Sequence, residues 1–313
     1  VWSCYRNGLT LQDTFEQPAE KIAAQWIKNN EAVKSDIVWV GADCGSIALR
    51  ALGAKCTFAV PGKGGTVDAA LIDKPADVDR LRIEALENSP EIANLLETAK
   101  IVAEKIGDEV LVGVSQWGAF TMTGLMMGME KMRLASLEDK PGLRHVLEFS
   151  QQLLLKYWQL FIDAGVELVN QADPIASGDV VSAEIFAELA LPYIKAANQA
   201  VDGKVGAKML HICGDTTGVL DLIPSSEADL FSLDYKVDLK TARQKLGGRI
   251  AFGGQLKPLG VLLNGRPEEV EAAARACLQD AGKSGYVLMP GCDVAPATKI
   301  ENVQAMIKTA HQL

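Results

Sequence analysis

Short runs of Val, Ile and Leu alternate along the chain with longer stretches in which apolar residues recur every three or four positions. The runs that read as strands are Val1 to Cys4, Asp36 to Ala42, Val110 to Gln116 and Val166 to Ala172, then Lys208 to Cys213, Asp229 to Asp234, Arg249 to Gly254 and Tyr286 to Gly291. Most are apolar throughout rather than alternating. That is the mark of parallel strands buried on both faces, and Gly, Asp or Pro bounds them. Between them a helical period takes over. Pro267 to Ala281 opens with proline at a first helical position, puts Val270, Ala274, Cys277 and Leu278 on one face, and stops at Gly282. Ile300, Val303, Ile307 and Ala310 repeat the pattern in the tail. Eight strands alternating with helices predict an α/β fold, a single (β/α)8 barrel domain over residues 1–313. An open doubly wound sheet is the alternative topology.

Composition narrows the partners. The 313 residues carry a formal net charge of -9, which argues against nucleic acid or an anionic membrane. No apolar run is long enough to span a bilayer, and no signal-peptide pattern opens the chain. The six cysteines are scattered, unlike the dense spacing of a secreted disulfide scaffold, so a reducing, cytoplasmic location is expected. Because the chain opens at Val1, a native N-terminal segment is expected to be missing.

In a barrel of this type the active site sits at the C-terminal ends of the strands. The predicted strands end in Cys4, Tyr5 and Arg6; Asp43 and Cys44; Ser115, Gln116 and Trp117; and Asn170, Gln171 and Asp173. The later ones end in His211, Cys213 and Asp215; Asp234 and Tyr235; Gln255; and Cys292 and Asp293. The sharpest local signal is His211-Ile212-Cys213. Alternate residues of an extended strand share a face, so imidazole and thiolate would point together into the mouth. Both bind a borderline-soft ion, and Cys292 at the end of the last predicted strand is the candidate third ligand. Three protein ligands with an open fourth position describe a catalytic zinc rather than a structural one. Spacing alone also allows buried cysteines acting as small hydrophobes. Cys277 lies on the apolar face of its helix, Cys4, Cys44 and Cys56 read as core or wall, and His145 and His311 read as solvent-facing.

The segment Met209-Leu210-His211-Ile212-Cys213-Gly214 resembles the zinc motif of the corrinoid-dependent methyltransferases within the uroporphyrinogen decarboxylase superfamily. Pro290-Gly291-Cys292-Asp293-Val294-Ala295-Pro296, followed by Glu301-Asn302-Val303, resembles the family's closing segment. Ala172 to Ser177, Leu191-Pro192-Tyr193 and Gly260 to Val270 add superfamily marks. The resemblance implies a barrel with zinc at its mouth held by His211, Cys213 and Cys292. It also implies methyl transfer between a small molecule and the cobalt of a corrinoid (cobalamin). Decarboxylases of the superfamily carry an arginine-rich stretch after the first strand; here Tyr5-Arg6-Asn7-Gly8-Leu9 holds one arginine, which speaks against porphyrinogen decarboxylation. No D-x-H-x-x-G cobalamin signature occurs, so the corrinoid is expected on a separate corrinoid protein.

Two directions of transfer stay open: from a methyl donor such as a methoxylated aromatic to cobalt, or from a methylcorrinoid to a thiol acceptor. Trp2, Tyr5 and Trp117 at predicted strand ends suggest a flat aromatic pocket and the first direction. Gln116, Asn170, Asp173 and Asp234 are further candidates for substrate contact, the two aspartates also for support of His211. Met122, Met126, Met127 and Met129 could form a soft docking surface for the corrinoid protein, or a buried helix contact. A zinc barrel that only binds a partner is the non-catalytic alternative.

Overall fold

The structure is a computed structural model and describes residues 1–41, 45–282 and 284–312. Its frame is a parallel sheet of seven strands: β1 (Ile37–Val40), β2 (Leu111–Trp117), β3 (Leu168–Ala172), β4 (Ala207–Ile212), β5 (Leu230–Leu233), β6 (Ala251–Leu256) and β7 (Tyr286–Pro290). Their order in space is their order in the chain, and every ladder is parallel. A strand that always pairs with its predecessor, with helices returning the chain, curls the sheet towards a barrel. Among the described residues β1 and β7 form its two edges. A separate hairpin, Cys56–Thr57 with Thr66–Val67, was not anticipated from the sequence.

Seven expected strands lie within two residues of their places. The first does not: Val1 to Cys4 belongs to helix α1 (Trp2–Arg6). Local bonds win there. The Asn7 side chain donates to the Ser3 carbonyl at 2.6 Å, and Gly8 turns the chain at φ +70°. Trp2 packs with Val33 and Val303, and its indole N–H donates to the Thr298 carbonyl at 2.9 Å.

Pairing puts Leu168, Met209 and Leu230 on one face of the sheet, where they cluster with Ile37, Leu111, Ala207, Ala251 and Met289 as an apolar floor. The other face joins the large helix-covered core. One step towards the C-terminal ends the inner face turns polar: Ser115 lies beside Asn170, and the Asn170 amide donates to the Ser115 hydroxyl at 2.7 Å. One step further, His211 lies beside Ser232.

Helix α2 (Pro267–Ala281) follows the sequence reading, buries Val270, Ala274, Cys277 and Ala281, and ends at Gly282. The methionine cluster settles on the second of its two readings, the buried helix contact. Met122, Met126 and Met127 are buried on a helix, Ala119–Met127, whose residues are almost all buried, so they pack the core. Met129 alone is exposed. No helix among the described residues is long and apolar enough to cross a membrane. Replacing Trp2 with Ala should lower stability by about 3 kcal/mol, the usual cost of emptying a large buried site. A shift of the denaturant midpoint at unchanged slope would report it.

Candidate metal centre

His211 is on β4, Cys213 one residue beyond its end, and Cys292 two residues beyond β7. The three donor atoms converge: His211 Nε2 lies 2.9 Å from Cys213 Sγ, and the two Sγ atoms are 3.0 Å apart. One ligand atom from each lies within 4.8 Å of the others, and all three residues are half-buried. The sulfurs are well beyond the ~2.05 Å of a disulfide, and both cysteines are free thiols.

The donor set suits zinc. His211 Nδ1 lies 3.2 Å from the Ser232 carbonyl and 3.0 Å from the Ser232 hydroxyl. A carbonyl can only accept, so Nδ1 carries a proton, which leaves Nε2 as the nitrogen that faces the sulfurs and would bind a metal. A tetrahedral zinc with Zn–S bonds of about 2.3 Å sets its sulfurs about 3.8 Å apart, so an ion would spread the pair by less than about 1 Å.

Hydrogen bonding divides the thiols. The bond from Cys213, with help from His211 against the cost of burial, holds the Cys292 thiol below its usual range. Cys213, the donor and itself buried, is held up. Burial opposes a charged His211, yet the Cys292 thiolate and Asp293 raise it.

Two glycines permit the convergence. Gly214 takes φ +91°, and a Cβ there would meet Asp179 Oδ2 at 2.5 Å. A Cβ on Gly291 would meet the Tyr235 backbone nitrogen at 2.5 Å, so glycine is what lets the loop after β7 press against the loop after β5 and deliver Cys292. Asp234 ties the loops after β4 and β5 together, accepting from the Gly214 N–H at 2.9 Å and the Lys236 N–H at 2.9 Å.

Beside the triad opens a cleft of about 630 Å³. Its apolar walls include Val180, Tyr235, Pro258, Leu259 and Val294, and its charged groups are Asp179, Asp234, Lys236 and Asp293. Of the substrate residues expected from the sequence, Asp234 lines this cleft. Tyr5 is exposed and its ring lies near Gly62 and Pro296 at the rim. Gln116, Trp117, Asn170 and Asp173 are not part of the lining. Gln116 is buried, with its carbonyl accepting from the Trp117 N–H at 2.7 Å. Trp117 packs partly buried against the core.

Asp173 turns to the start of helix Ala119–Met127, where its carboxylate accepts from the Thr121 N–H at 2.7 Å and the Thr121 hydroxyl at 2.5 Å. Burial pushes its carboxyl up to about 6, against the pull of those bonds. Trp2, expected at a strand end, is buried between helices instead. Asp43 and Cys44 lie outside the described residues. Cys4 and Cys277 are buried and Cys56 half-buried. His145 and His311 face solvent, paired with Asp79 and Asp36.

The sequence reading missed Asp179, Val180, Lys236, Pro258 and Leu259. Gly214 was the available signal for Asp179, because a left-handed glycine straight after a ligand marks a close neighbour.

A curled parallel sheet carrying a His–Cys–Cys triad at its C-terminal end defines a barrel enzyme with a metal-type centre. The chain belongs to the uroporphyrinogen decarboxylase family, whose pattern, "Uroporphyrinogen decarboxylase (URO-D)", matches residues 5–313. A "Methylcobamide:CoM methyltransferase MtbA" of Methanosarcina mazei is 33% identical over 236 residues, 75% of this chain and 67% of that protein. A "Methylcobamide:CoM methyltransferase MtaA" of Methanosarcina barkeri is 24% identical over 265 residues, 84% of this chain and 76% of that protein. A solved "methyltransferase from Methanosarcina mazei" has the same fold, with a TM-score of 0.86 at 23% identity over 96% of this chain and 90% of that one.

Gly291→Ala should push the Tyr235 backbone and Cys292 apart and lower the melting temperature, which a thermal scan beside wild type would report. Asp173→Ala should cost about 1–3 kcal/mol in denaturant unfolding, because it strands the buried Thr121 N–H.

Proposed function

We propose that this chain is a zinc-dependent methyltransferase that moves a methyl group from a methylcorrinoid, carried by a separate corrinoid protein, to a small thiol. Corrinoid-dependent methyl transfer in general follows from its kinship with the methylcobamide:CoM methyltransferases. The observation that carries the finer reading is the convergence of His211 Nε2, Cys213 Sγ and Cys292 Sγ beside an open cleft. Three ligands from strand ends leave one direction for a substrate sulfur.

His211, Cys213 and Cys292 would hold the zinc, with Ser232 orienting the imidazole and Asp234 holding the Cys213 loop. Zinc bound there would supply a Lewis acid that keeps a substrate thiol ionised at neutral pH. The cleft walls position that sulfur against the methyl carbon. A methylcorrinoid presented there would supply the methyl group, the bond from its cobalt giving way to the new S–C bond and its electron pair leaving with the corrinoid. Leu259, Val180 and Tyr235 are exposed at the cleft and offer the corrinoid an apolar seat.

The thiol direction is favoured over demethylation of a methoxylated aromatic. Of Trp2, Tyr5 and Trp117, which suggested an aromatic pocket, the two tryptophans are not among the cleft's lining residues and Tyr5 lies at the rim, while Tyr235 is the aromatic that lines it. The relatives named above are CoM methyltransferases. Porphyrinogen decarboxylation finds little support, because Arg6 stacks over the Trp2 ring and the cleft is mostly anionic. Free thiols and the need for reduced ligands suit the cytoplasm.

Purified wild-type protein should hold about one zinc per chain, sharply reduced in Cys213→Ala and Cys292→Ala. It should methylate thiols from methylcobalamin, and both variants should lose that activity. Zinc content unchanged in both variants would end the metal reading, and zinc-loaded protein inert with every thiol would end the methyl-transfer one.

A further inference from the structure

The three ligands are not held alike. His211 sits within a ladder, beside Ser232 of β5. Cys292 follows Gly291, whose N–H donates to the Leu256 carbonyl at 2.9 Å. Cys213 comes after the last residue of β4, and the ladder between β4 and β5 ends at Ile212 and Leu233. Its place therefore depends on the turn that follows, Gly214-Asp215, and both N–H groups of that turn go to carboxylates from other loops. Asp234, after β5, takes the Gly214 N–H at 2.9 Å, and Asp179, after β3, takes the Asp215 N–H at 3.2 Å. Gly178 returns a bond, its N–H donating to the Asp215 carbonyl at 2.8 Å.

Lys236 closes these contacts into a ring. Its ammonium lies 2.6 Å from the same Asp179 oxygen, and its backbone N–H donates to the second Asp234 oxygen at 2.9 Å. A path of bonds thus runs from Asp234 through the Gly214-Asp215 turn to Asp179, and back through Lys236 to Asp234. The bond from Lys236, then that from Asp215, holds the Asp179 carboxyl below the usual carboxylate range, so the pair is ionic at neutral pH. The Asp179 and Lys236 side chains are 41% and 46% exposed, and an ion pair that open adds little to overall stability. Its effect is local: without Lys236, Asp179 is free to leave the turn, and the turn carries Cys213.

We propose that Asp179 and Lys236 are positioning residues for the metal centre: their ion pair locks the turn after Cys213 and so sets that sulfur against Cys292 and His211. The inference rests on the zinc reading above and concerns how this chain holds the site in shape. In this role both residues act through Cys213 and not on substrate. Supports of this kind are worth about tenfold or more in metal affinity while the ligands themselves stay in place.

The test uses the full chain, stripped of metal and titrated with zinc against a chelator, and separately loaded with cobalt(II), whose sulfur-to-metal absorption reports the thiolate geometry. Asp179→Ala should bind zinc about tenfold more weakly and lose intensity in that absorption. Asp179→Asn keeps an oxygen for the Asp215 N–H and should restore most of both, leaving a deficit of about threefold, the worth of an exposed ion pair. Lys236→Met should match it, and Asp179→Asn combined with Lys236→Met should be no weaker than either alone. The melting temperature of the metal-free protein should not move in any of them. Zinc affinity and cobalt absorption unchanged in Asp179→Ala would overturn the proposal. So would a fall in the metal-free melting temperature that accounts for the lost zinc, since the pair would then serve the fold at large. Lys236→Met with full zinc affinity and a raised KM alone would overturn it as well, by placing the ammonium on substrate. A wild type that binds no zinc would bring down this inference together with the metal reading. The expected order of affinities with no methylation of any thiol would support the positioning role and bring down only the methyl-transfer reading.

Discussion

Parallel ladders running unbroken from β1 to β7 leave little freedom in where side chains point. Every strand ends on the same rim, and a period of two decides which residues look inward at each level. Leu168 lies below a row in which Ser115 and Asn170 pair on towards the apolar Met209 and Leu230, and His211 and Ser232 lie one step nearer the rim. The step from apolar to polar along β3 and β4 is therefore a step from core to cleft. The pairing of His211 with Ser232 supplies the acceptor that fixes the imidazole.

The chemistry beyond the ladder depends on loops, and buried or half-buried carboxylates hold them. Asp234 pins the loops after β4 and β5 by taking one N–H from each. Asp173 fixes the entry to helix Ala119–Met127 through Thr121. A carboxylate accepts several N–H donors at once, and its two oxygens tie segments distant in sequence. Such carboxylates look like substrate contacts in a sequence, yet most of them are engaged with the protein. Asp293 differs in being exposed at the cleft, where its charge acts on His211.

Strand reading succeeded where a continuous apolar run was bounded by turn residues, as in Val110 to Gln116 and Tyr286 to Gly291. It failed at Val1 to Cys4, where four residues with one β-branched side chain carry no period that separates a strand from a turn of helix. Trp2 found its place between Val33 and Val303, positions remote in sequence, and the local bonds of Ser3, Asn7 and Gly8 closed the helix. The methionines show a related limit. Their helix is mostly apolar, and only packing shows that neighbours cover nearly all of it.

The sequence by itself determined that a parallel barrel-type sheet forms, that His211 and Cys213 share a face, and that Cys292 stands at a strand end. Each of these rests on local periodicity, which two to eight neighbouring residues suffice to express. Tertiary structure alone decided that Cys292 reaches Cys213, that Ser232 orients His211, that Trp117 and Asp173 turn away from the cleft, and that Lys236 is held by Asp179. Those outcomes depend on contacts between loops tens of residues apart, closed by glycines at 214 and 291 whose role is visible only once the opposing backbone is in place.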